Sequence, residues 1–111
     1  MAMPARSRGS VLSIMTKLLI TAEAKKVLDD LAAKKQYEKK LKKVRKTLGL
    51  IQQDPRYPGL NSHKYVSLSG EGGEDVWESY VENQTPGAWR IFWHYGPSED
   101  QITILTIGPH P

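Results

Sequence analysis

Residues Trp89–Tyr95, "WRIFWHY", combine four aromatic side chains with one arginine and one histidine. Aromatic and β-branched residues favour an extended strand, and side chains alternate between the two faces of a strand. One face then carries Trp89, Ile91, Trp93 and Tyr95, and the other carries Arg90, Phe92 and His94. We expect the tryptophan face to lie in the core and Arg90 to project from the opposite face of a sheet.

This strand is the third of four strands that we predict in the C-terminal half of the chain. The others are "HKYVSL" (63–68), "VWESYVE" (76–82) and "QITILTIG" (101–108), which are separated by sequences rich in turn-forming residues. Alternation places Glu78 and Tyr80 on one face of the second strand. We therefore expect Glu78, Tyr80, Arg90 and His94 to gather on the open face of the sheet.

The N-terminal half predicts one short strand and two helices. "KLLIT" (17–21) is capable of forming a strand, and Thr21 is a suitable N-cap for a helix over residues 22–34. A second helix over residues 36–52 is indicated by apolar side chains that recur at helical spacing: Tyr37, Leu41, Val44, Leu48 and Ile51. "DPRYPG" (54–59) ends it, because a residue that precedes proline disfavours the helical conformation.

This order of elements predicts an α+β fold. Two N-terminal helices would pack on one face of a four- to five-stranded, mostly antiparallel sheet, and would cover all three tryptophans. With 111 residues, the chain is long enough for a single domain, which we assign to residues 16–111. Residues 1–15 resemble a flexible leader rather than a signal peptide, because Lys17 and several polar residues interrupt the apolar run. No apolar run is long enough to cross a membrane, and we expect a cytoplasmic protein.

Composition excludes several kinds of site and suggests a partner. The chain has no cysteine, and its three histidines lack metal-ligand spacing, so we expect neither a metal site nor a cofactor. Residues 34–46 contain eight Lys or Arg residues and one acidic residue, Glu38. Residues 71–111 contain seven acidic residues and, of Lys and Arg, only Arg90. The basic block indicates a polyanionic or acidic partner, or else the solvated face of a helix.

Four segments, taken in order, resemble the RelE/ParE superfamily of bacterial toxins: "DPRYPGLNSHK" (54–64), "VWESYV" (76–81), "WRIFWHY" (89–95) and "ITILTIGPH" (102–110). The resemblance covers residues 17–111. It implies a toxin of a type II toxin–antitoxin pair and, for the RelE branch, metal-independent cleavage of mRNA in the ribosomal A site. The implied partners are a cognate antitoxin, the ribosome and mRNA.

The resemblance also suggests roles for particular residues. Arg90 matches the family's strand arginine that contacts the scissile phosphate, and a guanidinium suits this task because it stays charged and donates two parallel hydrogen bonds. Glu78 and Tyr80 occupy positions of polar catalytic residues, and His110 matches a C-terminal Arg or His that acts as general acid. Further candidates are His94 and Tyr95. For RNA binding we expect His63 and Lys64 together with four lysines of the second helix: Lys39, Lys42, Lys43 and Lys46.

Three alternatives remain open at this stage. RelE carries lysines where this chain has Glu78 and Tyr80, and the family's catalytic tyrosine, which follows the terminal Arg or His, has no counterpart here. A ParE-like inhibitor that binds DNA gyrase without cleaving RNA is therefore one alternative, and a degenerate member that only binds is another. In the third, Arg90 and Glu78 form an ordinary exposed cross-strand ion pair of structural significance only.

Overall fold

The structure, a computed structural model, describes residues 16–83 and 87–109. Strand β1 (Lys17–Ile20) precedes helices α1 (Ala22–Ala33) and α2 (Glu38–Gln53), and four strands follow: β2 (His63–Ser69), β3 (Asp75–Tyr80), β4 (Trp89–Tyr95) and β5 (Gln101–Pro109). The predicted α+β class is confirmed, and the elements differ from their predicted bounds by one or two residues at their ends. None of the described helices is long and apolar enough to cross a membrane. The predicted leader (1–15) and His110 lie outside the described residues.

The five strands form one mixed sheet in the order β1-β5-β4-β3-β2. Strands β2 to β5 pair in an antiparallel manner, as predicted, but β1 runs parallel to β5. Three of the four strand pairings are antiparallel, in agreement with the predicted mostly antiparallel sheet, and the two helices follow β1, as the order of the segments predicts. The parallel pairing of β1 with β5, a strand from the far end of the sequence, was not predicted and makes the sheet mixed.

Thr21 fixes the corner between β1 and α1. Its side-chain oxygen accepts a hydrogen bond from the backbone N–H of Ala24, 3.1 Å away, which confirms it as the N-cap of α1. Its hydroxyl donates to the carbonyl of Leu105 at 2.7 Å, where the pairing of β5 with β4 shifts register. This one side chain therefore anchors the start of α1 to β5.

The core lies between the helix pair and one face of the sheet. The predicted stripe of α2 supplies Val44, Leu48 and Ile51, and β4 supplies Ile91 and Trp93. Trp93 is fully buried, while Trp77 and Trp89 are half-buried against the edge of this core. All three tryptophans therefore lie on the helix face of the sheet, as expected, but only Trp93 is fully buried there.

Arg90 lies on the face opposite the helices, as strand alternation predicts. This face is not solvated, however: Arg90, Phe92 and His94 are all buried, and so is Glu78. Neighbouring side chains on the same face cover them, since the ring of Tyr65 packs edge-on against Phe92 with 5.1 Å between ring centroids. The alternative of an exposed Arg–Glu pair is therefore wrong about the exposure of both side chains.

Candidate functional site

Arg90 and Tyr80 lie side by side on the face of the sheet opposite the helices. They are directly opposite in the pairing of β3 with β4, and the guanidinium carbon of Arg90 lies 3.8 Å from the centroid of the Tyr80 ring. Such a cation–π contact holds the guanidinium plane in place. Arg90 Nη1 donates to the carbonyl of Trp89 at 3.1 Å. Arg90 Nε is buried and has no hydrogen-bond partner among the described residues.

His63 and Glu78 form a close pair beside Arg90 and Tyr80. They are directly opposite in the pairing of β2 with β3, and His63 Nε2 lies 2.6 Å from Glu78 Oε1. His63 Nδ1 lies 3.2 Å from the carbonyl oxygen of Asn61, a residue in the left-handed conformation at the turn before β2. The Glu78 side chain is 2% exposed and that of His63 is 49% exposed. Solvent or a ligand therefore reaches the pair through the imidazole.

Tyr80 connects the two pairs. The rings of His63 and Tyr80 meet edge-on, with 5.9 Å between their centroids. Arg90, Tyr80, His63 and Glu78 thus form one continuous group, which we call the Arg90 cluster. It combines a fixed cation for an anionic ligand with a carboxylate-oriented imidazole for proton transfer.

The lysines predicted to bind RNA lie on the exposed side of α2. Lys39, Lys42, Lys43 and Lys46 are all exposed and recur at helical spacing; we call them the α2 basic ridge. A cavity of about 350 Å³ lies beside this ridge and is lined by Lys43, Lys46, Gly59 and Tyr80, among others. The cavity therefore lies between the ridge and Tyr80, the last residue of β3 and one member of the Arg90 cluster.

Glu82 restrains the cations nearest to this cavity. Its carboxylate lies 2.8 Å from Lys40 Nζ and 3.7 Å from Lys43 Nζ, and it also accepts a hydrogen bond from the backbone N–H of Trp89 at 2.9 Å. Burial raises the pKa of the Glu82 carboxyl, but the bonds from Lys40 and Trp89 and the two lysine charges outweigh it, so the net pKa is lowered. Glu82 is therefore an anion that competes with any phosphate for these lysines.

Two other candidates, Lys64 and His94, lie away from the Arg90 cluster. Lys64 points to the other face of β2 and pairs with Asp75 at 3.2 Å. His94 shares the face of Arg90 but lies four residues, about 13 Å, further along β4. Its Nδ1 is 2.7 Å from the carbonyl of Tyr95.

The remaining candidates are Tyr95 and His110. Tyr95 lies on the helix face of the sheet, where its ring meets that of Trp93 edge-on, and burial raises its pKa. The structure therefore does not bring it to Arg90. His110 is outside the described residues, so its prediction as general acid remains a prediction.

The pairing of His63 with Glu78 was not predicted. We expected His63 to bind RNA, and the structure also makes it the direct partner of Glu78. The cross-strand register of β2 and β3 creates this pair, and that register includes an irregularity between Lys64 and Ser69. No local sequence signal could have revealed it. Among the described residues, no group of three or more His, Asp or Glu side chains is placed to hold a metal ion.

Comparison with solved structures identifies the fold. The chain is similar to a YoeB/ParE toxin from Agrobacterium tumefaciens (TM-score 0.63, 13% identity, covering 86% of this chain and 99% of that one). It is also similar to the archaeal RelE–RelB complex from Pyrococcus horikoshii OT3 (TM-score 0.59, 16% identity, covering 86% of this chain and 96% of that one). A third similar structure is the YoeB dimer from Staphylococcus aureus (TM-score 0.58, 14% identity, covering 88% of this chain and 100% of that one). No family model and no curated protein matches the sequence. The predicted resemblance is thus confirmed at the level of structure: this chain has the fold of the RelE/ParE toxin superfamily.

Proposed function

We propose that this protein is the toxin of a type II toxin–antitoxin pair and that it stops translation by cleaving mRNA in the ribosomal A site. The observation that carries the proposal is the Arg90 cluster: a buried arginine, whose Nε has no hydrogen-bond partner among the described residues, lies beside an imidazole–carboxylate pair. The fold supports it, since the similar structures include proteins named as toxins.

Arg90 would bind the scissile phosphate. A buried donor without an acceptor costs about 1–3 kcal/mol, and an anionic oxygen that reaches Arg90 Nε removes this cost. The Tyr80 ring covers one face of the guanidinium, so a phosphate would approach its edge, where the donors point. As the ribose 2′-oxygen attacks, charge grows on the non-bridging oxygens, and a fixed guanidinium stabilises this charge.

His63 would transfer the proton, and Glu78 would orient the imidazole of His63. With Nε2–H donating to the Glu78 carboxylate, Nδ1 is the other ring atom that can exchange a proton. Nδ1 lies 3.2 Å from the carbonyl oxygen of Asn61, which can only accept a hydrogen bond, so the bound RNA would have to displace this contact. In its neutral form, Nδ1 accepts the proton of the 2′-hydroxyl as the oxygen–phosphorus bond forms. The bond to the 5′-oxygen breaks, that oxygen takes a proton from a second donor, and the products are a 2′,3′-cyclic phosphate and a 5′-hydroxyl. His110 remains our candidate for the second donor. The scheme requires neither a metal nor a cofactor.

The α2 basic ridge would contact nucleic-acid phosphates. Its four lysines are exposed and continue through the cavity beside Lys43 and Lys46 to Tyr80, so one RNA strand can follow both. A ribosomal target implies a cytoplasmic protein. A cognate antitoxin is the expected inhibitor, in keeping with a neighbour that was solved as a RelE–RelB complex.

The direct test in cells is induced expression followed by mapping of transcript 5′ ends. The proposal predicts growth arrest and new 5′ ends within coding sequences that are being translated. Growth arrest without new 5′ ends would contradict cleavage and would favour the gyrase-inhibitor alternative. The absence of both effects would favour a member that only binds.

A further inference from the structure

A second cavity lies on the helix face of the sheet, opposite the Arg90 cluster. Its volume is about 400 Å³, and four aromatic side chains contribute to its walls. The main lining residues are Arg56, Tyr57, Ser62, Trp77, Trp93 and Tyr95. Tyr57 and Tyr95 are 45% and 46% exposed, so large ring surfaces face solvent there. Exposed aromatic surface that converges on one cavity is unfavourable in water and typical of a binding site.

The rings of this aromatic cavity are held in place. Trp77 and Trp93 stack with 6.3 Å between their centroids, and Tyr95 meets Trp93 edge-on at 5.0 Å. Tyr57 packs over Gly59, where an added Cβ would come within 2.5 Å of a ring carbon. The absence of a side chain at Gly59 therefore leaves room for the Tyr57 ring at one wall of the cavity.

The polar groups of the cavity favour a ligand with a hydrogen-bonding edge and a negative charge. Trp93 Nε1 donates to Ser79 Oγ at 2.7 Å, and Ser79 Oγ lies 2.6 Å from Ser62 Oγ, so the chain of hydroxyls ends at a group that lines the cavity. Arg56 is the only ionic side chain among the residues that line it. The nearby Asp54 carboxylate accepts a hydrogen bond from the backbone N–H of Arg56 at 3.0 Å.

We propose that the aromatic cavity binds a nucleobase of single-stranded RNA, with Arg56 facing the attached phosphate. A base presents a flat π-face to the rings and a polar edge to Ser62, and it is linked to an anion, whereas an apolar protein side chain would use only the rings. The turn at residues 61–63 joins this cavity to the Arg90 cluster, because the Asn61 side of the turn lines the cavity and His63 pairs with Glu78. The inference rests on the proposed function and adds to it a subsite for a base of the same RNA strand, away from the cleaved bond.

Tryptophan fluorescence tests this proposal independently of cleavage. Trinucleotides with 2′-O-methyl groups cannot be cleaved by 2′-oxygen attack, and their bases should quench Trp77 and Trp93. Tyr57→Ala should weaken their binding by about tenfold or more, and Arg56→Gln should weaken it and reduce its dependence on salt. Tyr37→Ala, which removes a tyrosine of similar exposure outside the cavity, is the matched control and should change nothing.

A further variant separates this proposal from the nuclease proposal. Trp89→Phe should retain the quenching, since Trp89 is not among the cavity's lining residues. Quenching that persists in Trp89→Phe and is lost in Tyr57→Ala supports the base site even if the protein never cleaves RNA. No quenching at millimolar trinucleotide, or equal effects of Tyr57→Ala and Tyr37→Ala, would overturn the base site whether or not cleavage occurs. The base site would likewise be overturned if a protein partner covered the cavity and RNA did not bind there.

Discussion

The pairing of His63 with Glu78 predicts a measurable coupling between the two side chains. Hydrogen bonds to charged groups contribute about 1.5–3 kcal/mol, and water that reaches the half-exposed imidazole moves this pair toward the lower end. We therefore expect a coupling free energy of about 1–2 kcal/mol. The measurement is a double-mutant cycle of Glu78→Gln, His63→Gln and the combined variant, by urea unfolding at one fixed pH.

An exposed ion pair provides the matched control for this cycle. Lys25 and Asp29 lie 3.0 Å apart on α1, with side chains 68% and 65% exposed, and a helical pair of this kind contributes about 0.3–0.5 kcal/mol. If the His63–Glu78 coupling is no larger than that of Lys25–Asp29, Glu78 does not position His63. The proposed proton-transfer role of His63 would then lose its structural basis.

Three more predictions concern other parts of the molecule. The pKa of Glu82 is lowered in the folded state, so its contribution to stability is present above the unfolded pKa and is lost as pH falls through the folded pKa. Glu82→Gln should therefore lose less stability than the wild type when urea unfolding is repeated at decreasing pH. An equal loss of stability in acid would contradict this. Replacing Lys43 and Lys46 with Gln should reduce the slope of log affinity against log salt for single-stranded RNA by about 1.4, with an unchanged slope showing that both lysines are merely solvated. Gly70→Ala should lower the thermal midpoint by several degrees, since the added methyl group meets the ring of His94, and equal midpoints would refute this packing.

Local patterns predicted the parts of the fold that depend on local rules. The alternation in β4 correctly separated Trp93 from Arg90, and the apolar stripe of α2 correctly identified the residues that face the core. Both follow from the fixed periods of strand and helix. The parallel partner of β1 could not be predicted in this way, because its pairing joins Lys17 to Gln101 across most of the chain.

The candidate site was predictable only in part for the same reason. Alternation brought Glu78, Tyr80 and Arg90 to one face, as observed. The contribution of His63 depends on the register of β2 against β3, and the burial of Arg90 depends on rings supplied by neighbouring strands. Neither property is encoded in a short segment of sequence.

The most direct test of the central claim is cleavage of mRNA on purified ribosomes by wild-type protein and by Arg90→Ala at matched folded concentrations. Loss of a donor that stabilises transition-state charge typically costs about 10²–10³ in rate, or about 3–4 kcal/mol. Lys26→Ala, which removes an exposed cation of α1, should cleave at the wild-type rate. We predict site-specific cleavage by the wild type and by Lys26→Ala, with a loss of at least a hundredfold in Arg90→Ala. Equal rates for Arg90→Ala and wild type, or no cleavage by any of the three proteins, would contradict the account.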